Sequence, residues 1–314
     1  MKKIFQYLIC AVLCFSLNLV VPVFGYAKIP AWCADAVNYC DGNNLFNGVP
    51  QAEKSLDNIV TWGAFSQILS NSTSNYDGTY YQPGLVMDRN VKDREIYRAA
   101  MNWAKSFWIM GDLKQETDPM TRAETANALY AYFGRTDVKV AQPKLSSCFT
   151  DFNDIPNDLR SGVLFVEANS LINGFGDSTF GPNRPITVAE LSQILYNGKN
   201  LFQNVAMEKL FVLNASDVDS IEFRNGYNFE QHITNNKNVI KDVIDHLNAF
   251  RFKNMESADY DGWSYGFKIY FKDGKEFSFM LDPNWVRVCG VGYAPAKEFF
   301  PKSWLDQYCL LYDI

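Results

Sequence analysis

The feature that most constrains this chain is an internal repeat: a short helix, a glycine-containing loop, then a threonine that opens a second helix. The third copy is the clearest. It opens at Phe149-Thr150-Asp151 and predicts a helix from Arg160 to Ser170. Leu171-Ile172-Asn173-Gly174-Phe175-Gly176-Asp177-Ser178-Thr179-Phe180-Gly181-Pro182-Asn183 follows, and Pro185-Ile186-Thr187-Val188-Ala189-Glu190 starts a helix running to about Gly198. In the second copy a helix over Tyr97–Phe107 leads to Met110-Gly111-Asp112, and Thr121-Arg122-Ala123-Glu124 opens a helix ending near Gly134. The first copy has a helix over Ala34–Tyr39, the loop Leu45-Phe46-Asn47-Gly48-Val49, and a closing helix from Thr61-Trp62 to Ser70-Asn71. The aligned threonines Thr61, Thr121 and Thr187 stand 60 and 66 residues apart.

Local physical chemistry accounts for the unit. Thr121 with Glu124, and Thr187 with Glu190, have the spacing of a capping box, which satisfies two amides that a helix start leaves without partners. Glycines after the first helix permit a tight turn, and Pro182 and Pro185 keep the loop from continuing as helix. The closing helices carry apolar stripes, Ala126, Leu129, Tyr130 and Phe133 in copy two and Leu191, Ile194 and Leu195 in copy three. Two short helices bury such stripes poorly alone, so the three copies are expected to share one core. Ser70–Asp77, rich in Ser, Thr and Asn, reads as a surface linker.

From about residue 205 the pattern alternates instead. Ile221–Arg224, Asn225-Gly226 and Tyr227–Ile233 predict a hairpin with a two-residue turn; Phe267–Phe271, Asp273-Gly274 and Glu276–Leu281 predict a second. Asn238–Asn248 is an amphipathic helix with Val239, Val243, Ile244 and Leu247 on one side. Phe250–Phe252 and Val286–Val288 suggest further strands, and Lys302–Leu311 a closing helix. The expected fold class is multidomain: an all-α pseudo-threefold bundle, then a small α+β domain with an antiparallel sheet. The expected divisions are 1–27 leader, 28–72, 88–135 and 148–199 for the copies, and 205–314 for the last domain.

Residues 1–27 read as a secretory signal. Lys2 and Lys3 precede an apolar run from Ile4 to Val21, and Gly25-Tyr26-Ala27 supplies small residues for cleavage. The alternative is an uncleaved anchor, since the run nears the roughly 18–20 residues that span a bilayer. No second membrane segment or covalent sorting signal is expected. Beyond residue 27 the chain has 27 bases against 35 acids, the wrong sign for a protein that neutralises nucleic-acid phosphates. Five cysteines remain there: Cys33, Cys40, Cys148, Cys289 and Cys309. An odd count argues against a disulfide scaffold, and most are expected to act as small hydrophobes. Two histidines, His232 and His246, make a metal cluster or a catalytic triad a poor expectation, and no metal, cofactor or catalytic residue is assigned. Asp259-Tyr260-Asp261-Gly262 reads as a turn rather than a calcium loop. Gly176-Asp177-Ser178 lies inside the repeat loop and not on a nucleophile elbow.

The unit resembles the S-layer homology domain family in tandem triplicate. Gly174–Asn183 with Thr187-Val188-Ala189-Glu190 is its most specific match, and Thr121-Arg122-Ala123-Glu124 is similar to the family's central tetrapeptide. The resemblance covers roughly residues 28–198. It implies noncovalent attachment to a secondary polysaccharide of the bacterial cell wall, often bearing acidic ketal-pyruvate groups, in grooves between neighbouring repeats. Carried onto this chain, it points to Arg122, whose planar fork suits a carboxylate. Asn102-Trp103 and Asn38-Tyr39 would offer a flat ring and a polar partner, and Gly174 lies in the matching loop. A solvated helix-start arginine, and core roles for Trp103 and Tyr39, are the plainer readings. Copy one has Trp62 and copy three Val188 where copy two has Arg122, so at most one groove is expected to be fully competent. These features together suggest a secreted bacterial surface protein, anchored through its repeats, whose C-terminal domain projects as a binding module. It is not expected to be an enzyme; a wall-anchored hydrolase is the alternative.

Overall fold

The computed structural model describes residues 29–73, 97–111, 113–203, 205, 209–226, 230–256, 265–282, 285–289 and 291–295. The leader, the second half of the expected linker, Asp259–Gly262, the expected closing helix at 302–311 and Cys309 lie outside the described residues.

The first half contains three helix pairs: α1 (Ala34–Gly42) with α2 (Trp62–Ser70), α3 (Arg98–Ser106) with α4 (Arg122–Phe133), and α5 (Arg160–Ala168) with α6 (Val188–Asn197). A single turn, α7 (Lys199–Phe202), follows. Thr61 Oγ1 accepts from the Ala64 amide, and Thr121/Glu124 and Thr187/Glu190 form complete capping boxes. The first two amides of each closing helix find carbonyls on the approach to another closing helix. Trp62 and Gly63 donate to Asp118 and Glu116, Arg122 and Ala123 to Arg184 and Pro182, and Val188 and Ala189 to Asn58 and Leu56, all at 2.9–3.1 Å. Main-chain groups that a helix start would expose are thereby used to join one pair to the next.

The three approaches close a ring. Val60 N–H donates to Ile186 O (2.9 Å), Ile186 N–H to Met120 O (2.9 Å), and Met120 N–H to Val60 O (3.0 Å). Val60, Met120 and Ile186 turn inward and are buried, while Ile59, one residue earlier, is exposed. Packing of the helices follows the same cyclic order: α3 lies on α2, α5 on α4, and α1 on α6. At the α4–α5 contact Gly162 meets Asn127 so closely that an added Cβ would stand 2.4 Å from the Asn127 Cα, which explains the absent side chain.

Two local expectations fail here. Tyr130, expected on the apolar stripe of α4, is 38% exposed, its ring tilted against that of Phe165 at 5.4 Å. The start of the expected linker is not surface: Ser70 and Thr73 are buried, Ser72 hydrogen bonds Tyr132, and Thr73 forms a bridge to Val205. Short polar side chains are accommodated there because each hydroxyl finds a carbonyl or phenol.

Among the described residues the second half forms a seven-stranded antiparallel sheet of order β2-β1-β4-β5-β6-β7-β3. Its strands are β1 (Val218–Asn225), β2 (Gln231–Thr234), β3 (Phe252–Glu256), β4 (Tyr265–Phe271), β5 (Glu276–Asp282), β6 (Trp285–Val288) and β7 (Val291–Pro295), with helix α8 (Lys237–Ala249) between β2 and β3. The β4–β5 hairpin turns through Asp273-Gly274 as expected, Gly274 having φ +84°. The β1–β2 connection does not make the two-residue turn: Arg224 pairs with Gln231 and Asn225 N–H donates to Glu230 O, so the Asn-Gly step sits in a longer loop. On α8, Ile240, Val243, Ile244 and Leu247 are buried, whereas Val239 is only half-buried. Strand β7 had no counterpart in the sequence reading; a five-residue run with Gly and Pro carries little alternation.

The sheet does not project as an independent module. Phe107, at the end of α3, is fully buried against Phe252 and Tyr293 (5.7 Å each). Ser106 and the Tyr293 hydroxyl are hydrogen-bonded. Trp108, in a left-handed conformation (φ 56°), packs edge-on to Phe271 and Phe277. The helices and the sheet therefore share one continuous core.

Candidate functional site

The ring determines where a site can form, because each closing helix starts beside the loop of another pair. The most elaborated junction lies between the start of α4 and the loop 173–184. Arg122, first residue of α4, is 4% exposed. Its Nε donates to Phe180 O and its Nη2 to Asn173 O, both at 2.8 Å, and its Nη1 stands 3.9 Å from Glu190. The guanidinium lies 4.6 Å from the Phe175 ring and 5.1 Å from that of Phe180. Burial, and secondarily the charge of Arg184, brings its pKa down to about 10, so it stays charged at neutral pH. Asp151 pins the same loop by accepting from the amides of Phe180 and Gly181 at 2.8 Å.

This corrects the expected role of Arg122. It is neither an open fork for a carboxylate nor a solvated surface arginine. Its donors hold the main chain of the third pair's loop, and it acts as a cross-link between two helix pairs. Trp103 is likewise core, 1% exposed and packed against Phe107 and Tyr132. Gly174 is a packing position: a Cβ there would stand 2.4 Å from the Phe149 ring and 2.8 Å from Thr179 O. Asn102 is half-buried on α3. Asn38 is exposed and Tyr39 half-buried on α1, with the Tyr39 ring edge-on to Tyr196 at 5.8 Å. Asn102, Trp103, Asn38 and Tyr39 sit on opening helices, whereas the Arg122 cluster is built from α4, α6 and the loop between α5 and α6.

Two residues complete the cluster without having been anticipated. Phe175 is 38% exposed, and Arg184, with a side chain 46% exposed, places its guanidinium 4.9 Å from the Phe175 ring. Glu190 accepts from the Thr187 amide through Oε2 and from Arg184 through Oε1. Its capping role fixes the carboxylate, which in turn positions Arg184. The outcome is an exposed aromatic ring within 5 Å of two guanidinium groups, one buried and one open to solvent. Arg184 was visible in the sequence as a cation between Asn183 and Pro185, but only the ring of hydrogen bonds brings it to α4.

The corresponding junctions differ. Beside the start of α2, Lys114 lies 5.6 Å over Trp62 and pairs with Glu124. Beside α6 the equivalent residue is Val188, which is buried. Cys33 and Cys40 are free and buried, with the Cys40 thiol pushed up to about 12 by burial; Cys148 is exposed and Cys289 half-buried. Among the described residues no group of three His, Cys, Asp or Glu side chains forms a metal-binding cluster, and no helix is long and apolar enough to cross a membrane.

Comparison with known proteins bears on this region. Residues 149–191 match the S-layer homology domain, a span containing α5, the Phe175–Arg184 loop and the first turn of α6. No curated protein matches the chain. Domains of this family attach proteins noncovalently to the cell surface and bind cell-wall polysaccharides, so the matched segment associates the chain with the cell surface or cell wall.

Proposed function

We propose that residues 28–199 are three S-layer homology units closed into a pseudo-threefold bundle, which holds an exported bacterial protein on a secondary cell-wall polysaccharide. The closed ring of main-chain bonds and the cyclic helix packing support three equivalent units. The observation that carries the reading is the pairing of exposed Phe175 with Arg184 inside the segment that matches the family. A sugar ring lays its apolar face on Phe175, and an acidic substituent such as a ketal-pyruvate carboxylate takes the Arg184 fork. Arg122 and Asp151 keep the loop in place from beneath. The protein acts by binding rather than catalysis, with the sheet as a second binding region fixed rigidly to the anchor.

The test is co-sedimentation of residues 28–314 with cell-wall sacculi, native and after acid extraction of the secondary polymer. Binding is expected to require the polymer and to weaken at least tenfold in Arg184→Gln, since a charge-assisted hydrogen bond contributes about 1.5–3 kcal/mol. Equal binding by Arg184→Gln, with an unchanged melting temperature, would remove this groove from the proposal.

A further inference from the structure

The three opening helices end alike, and the second pair departs from the others in one side chain. After α1, α3 and α5 the chain passes through a left-handed residue: Asn44 (φ 55°), Trp108 (φ 56°) and Ser170 (φ 54°). In each case the next amide reaches back into the helix, Leu45 to Cys40 O, Ile109 to Ala104 O and Leu171 to Val166 O, all at 2.9 Å. This is the position of a Schellman ending that glycine usually fills. Short polar residues take it in two pairs. A bulky tryptophan there is a backbone outlier. Such strain persists where the surrounding structure holds it, and it collects at sites whose side chains must stand in one place.

Trp108 lines a hollow of about 330 Å³ between the end of α3, the segment before β1 and the β4–β5 turn, within the size range of small-molecule sites. With Phe271 and Val212, the latter 51% exposed, it gives the hollow an apolar wall. The charged residues of the lining are two lysines and two aspartates, so the hollow has no net charge. Lys275 pairs with Asp273 (2.7 Å), and Lys272 Nζ donates to Ser216 O (2.6 Å). Three polar groups keep bonding capacity. Asn214 and Asp217 each use Oδ1 on Ser216, accepting its amide (3.0 Å) and its hydroxyl (3.1 Å). Among the described residues the Asn214 amide nitrogen, Asp217 Oδ2 and the Trp108 indole N–H have no partner. A charged ligand would find no surplus of the opposite sign here. A wholly apolar ligand would cover these donors and the acceptor without bonding them, which is costly. A sugar ring matches the set, because it has an apolar C–H face and hydroxyls that both donate and accept.

We propose that this hollow binds one unit of an uncharged saccharide, its apolar face on Trp108 and its hydroxyls on Asn214 and Asp217. The hollow lies outside the segment that matches the family and contains neither Phe175 nor Arg184, so it does not rest on the anchoring reading.

Nuclear magnetic resonance of isotope-labelled residues 28–314 tests it through the indole N–H signals. The Trp108 signal is identified by its loss in Trp108→Phe, which keeps a ring against Phe271 and Phe277. The probes are the methyl glycosides of glucose, galactose, mannose and N-acetylglucosamine, with methyl glucuronide as the charged control and cyclohexanol as the apolar one. Each is titrated through the millimolar range, where a single ring in an open site binds. At least one neutral glycoside is expected to move the Trp108 signal saturably, at least about fivefold tighter than either control, the difference one or two hydrogen bonds make. The glycoside that binds tightest identifies the sugar. Asn214→Ser/Asp217→Ala is expected to weaken binding by at least about fivefold for the same reason. Serine keeps an acceptor for the Ser216 amide, and both replaced residues are exposed, so the double variant folds whatever the part Trp108 plays in stability. Arg184→Gln is expected to bind the glycoside normally. No movement of the Trp108 signal with any of the four, an equal response to cyclohexanol or glucuronide, loss of the response in Arg184→Gln, or unchanged affinity in the double variant would each overturn the proposal and leave Trp108 as a packing residue of the sheet.

Discussion

Replacing Arg122 by methionine separates a cross-linking role from a ligand-binding one. The substitution keeps an unbranched side chain at the start of α4 and removes every donor. The Phe180 carbonyl is buried and loses its partner, whereas the Asn173 carbonyl belongs to an exposed residue and can be reached by water. Hydrogen bonds from charged donors contribute about 1.5–3 kcal/mol net each, and a stranded buried carbonyl costs about 1–3 kcal/mol. With water rescuing one acceptor, the expected loss is about 2–4 kcal/mol. For a domain of this size that corresponds to a fall in Tm of about 4–16 °C. Arg122→Lys should recover at most half of it, because one ammonium cannot serve two separated carbonyls in the geometry of a planar fork. Thermal unfolding followed by circular dichroism reads the effect without any ligand. A change below about 1 °C in Arg122→Met would refute the cross-link, since a surface arginine is worth no more than about 0.5 kcal/mol.

Phe107→Ala should cost about 3–5 kcal/mol, because the ring is fully buried between α3 and the sheet. Helix and sheet signals should then shift together in one transition; a sheet that melts alone while the helices keep their wild-type midpoint would contradict the shared core. Acid should weaken the helical half through Glu124 and Glu167. Burial alone would raise both carboxyls, but Lys114 and Thr121 around Glu124, and Lys144, Ser147 and Cys148 around Glu167, outweigh it and hold both below the ordinary carboxylate range. A carboxyl lowered on folding stabilises the protein above its unfolded value, about 4.3, and loses that contribution as the pH falls through the folded value. Urea midpoints should therefore be level above about pH 5 and decline below it, and Glu124→Gln should flatten the decline.

The helix starts were legible because their causes are local. A threonine and a glutamate three residues on complete their own hydrogen bonds, and Thr121/Glu124 and Thr187/Glu190 do so in the folded chain. Most strands were legible for a similar reason, since side chains alternate across a strand whatever it pairs with; β4 and β5 follow that rule along their length. The β1–β2 turn misled because Asn-Gly only permits a two-residue turn, while the pairing of Arg224 with Gln231 is decided by which side chains reach the core.

The site was hidden for a different reason. Arg122 meets Phe180 and Asn173 across 58 and 51 residues of chain, and nothing near Arg122 in sequence says whether its fork faces solvent or another loop. Trp103 has the residue type of a sugar platform, but its place between Phe107 and Tyr132 follows from helix packing alone. Phe175 and Arg184 share one loop, and only the ring of Val60, Ile186 and Met120 sets that loop against Arg122 at the start of α4. By itself the sequence determined the helix starts and most of the strands, since capping and periodicity are settled within a few residues. Burial and charge proximity depend on contacts between distant segments, so the tertiary structure alone decided which arginine is a cross-link and which is open to solvent.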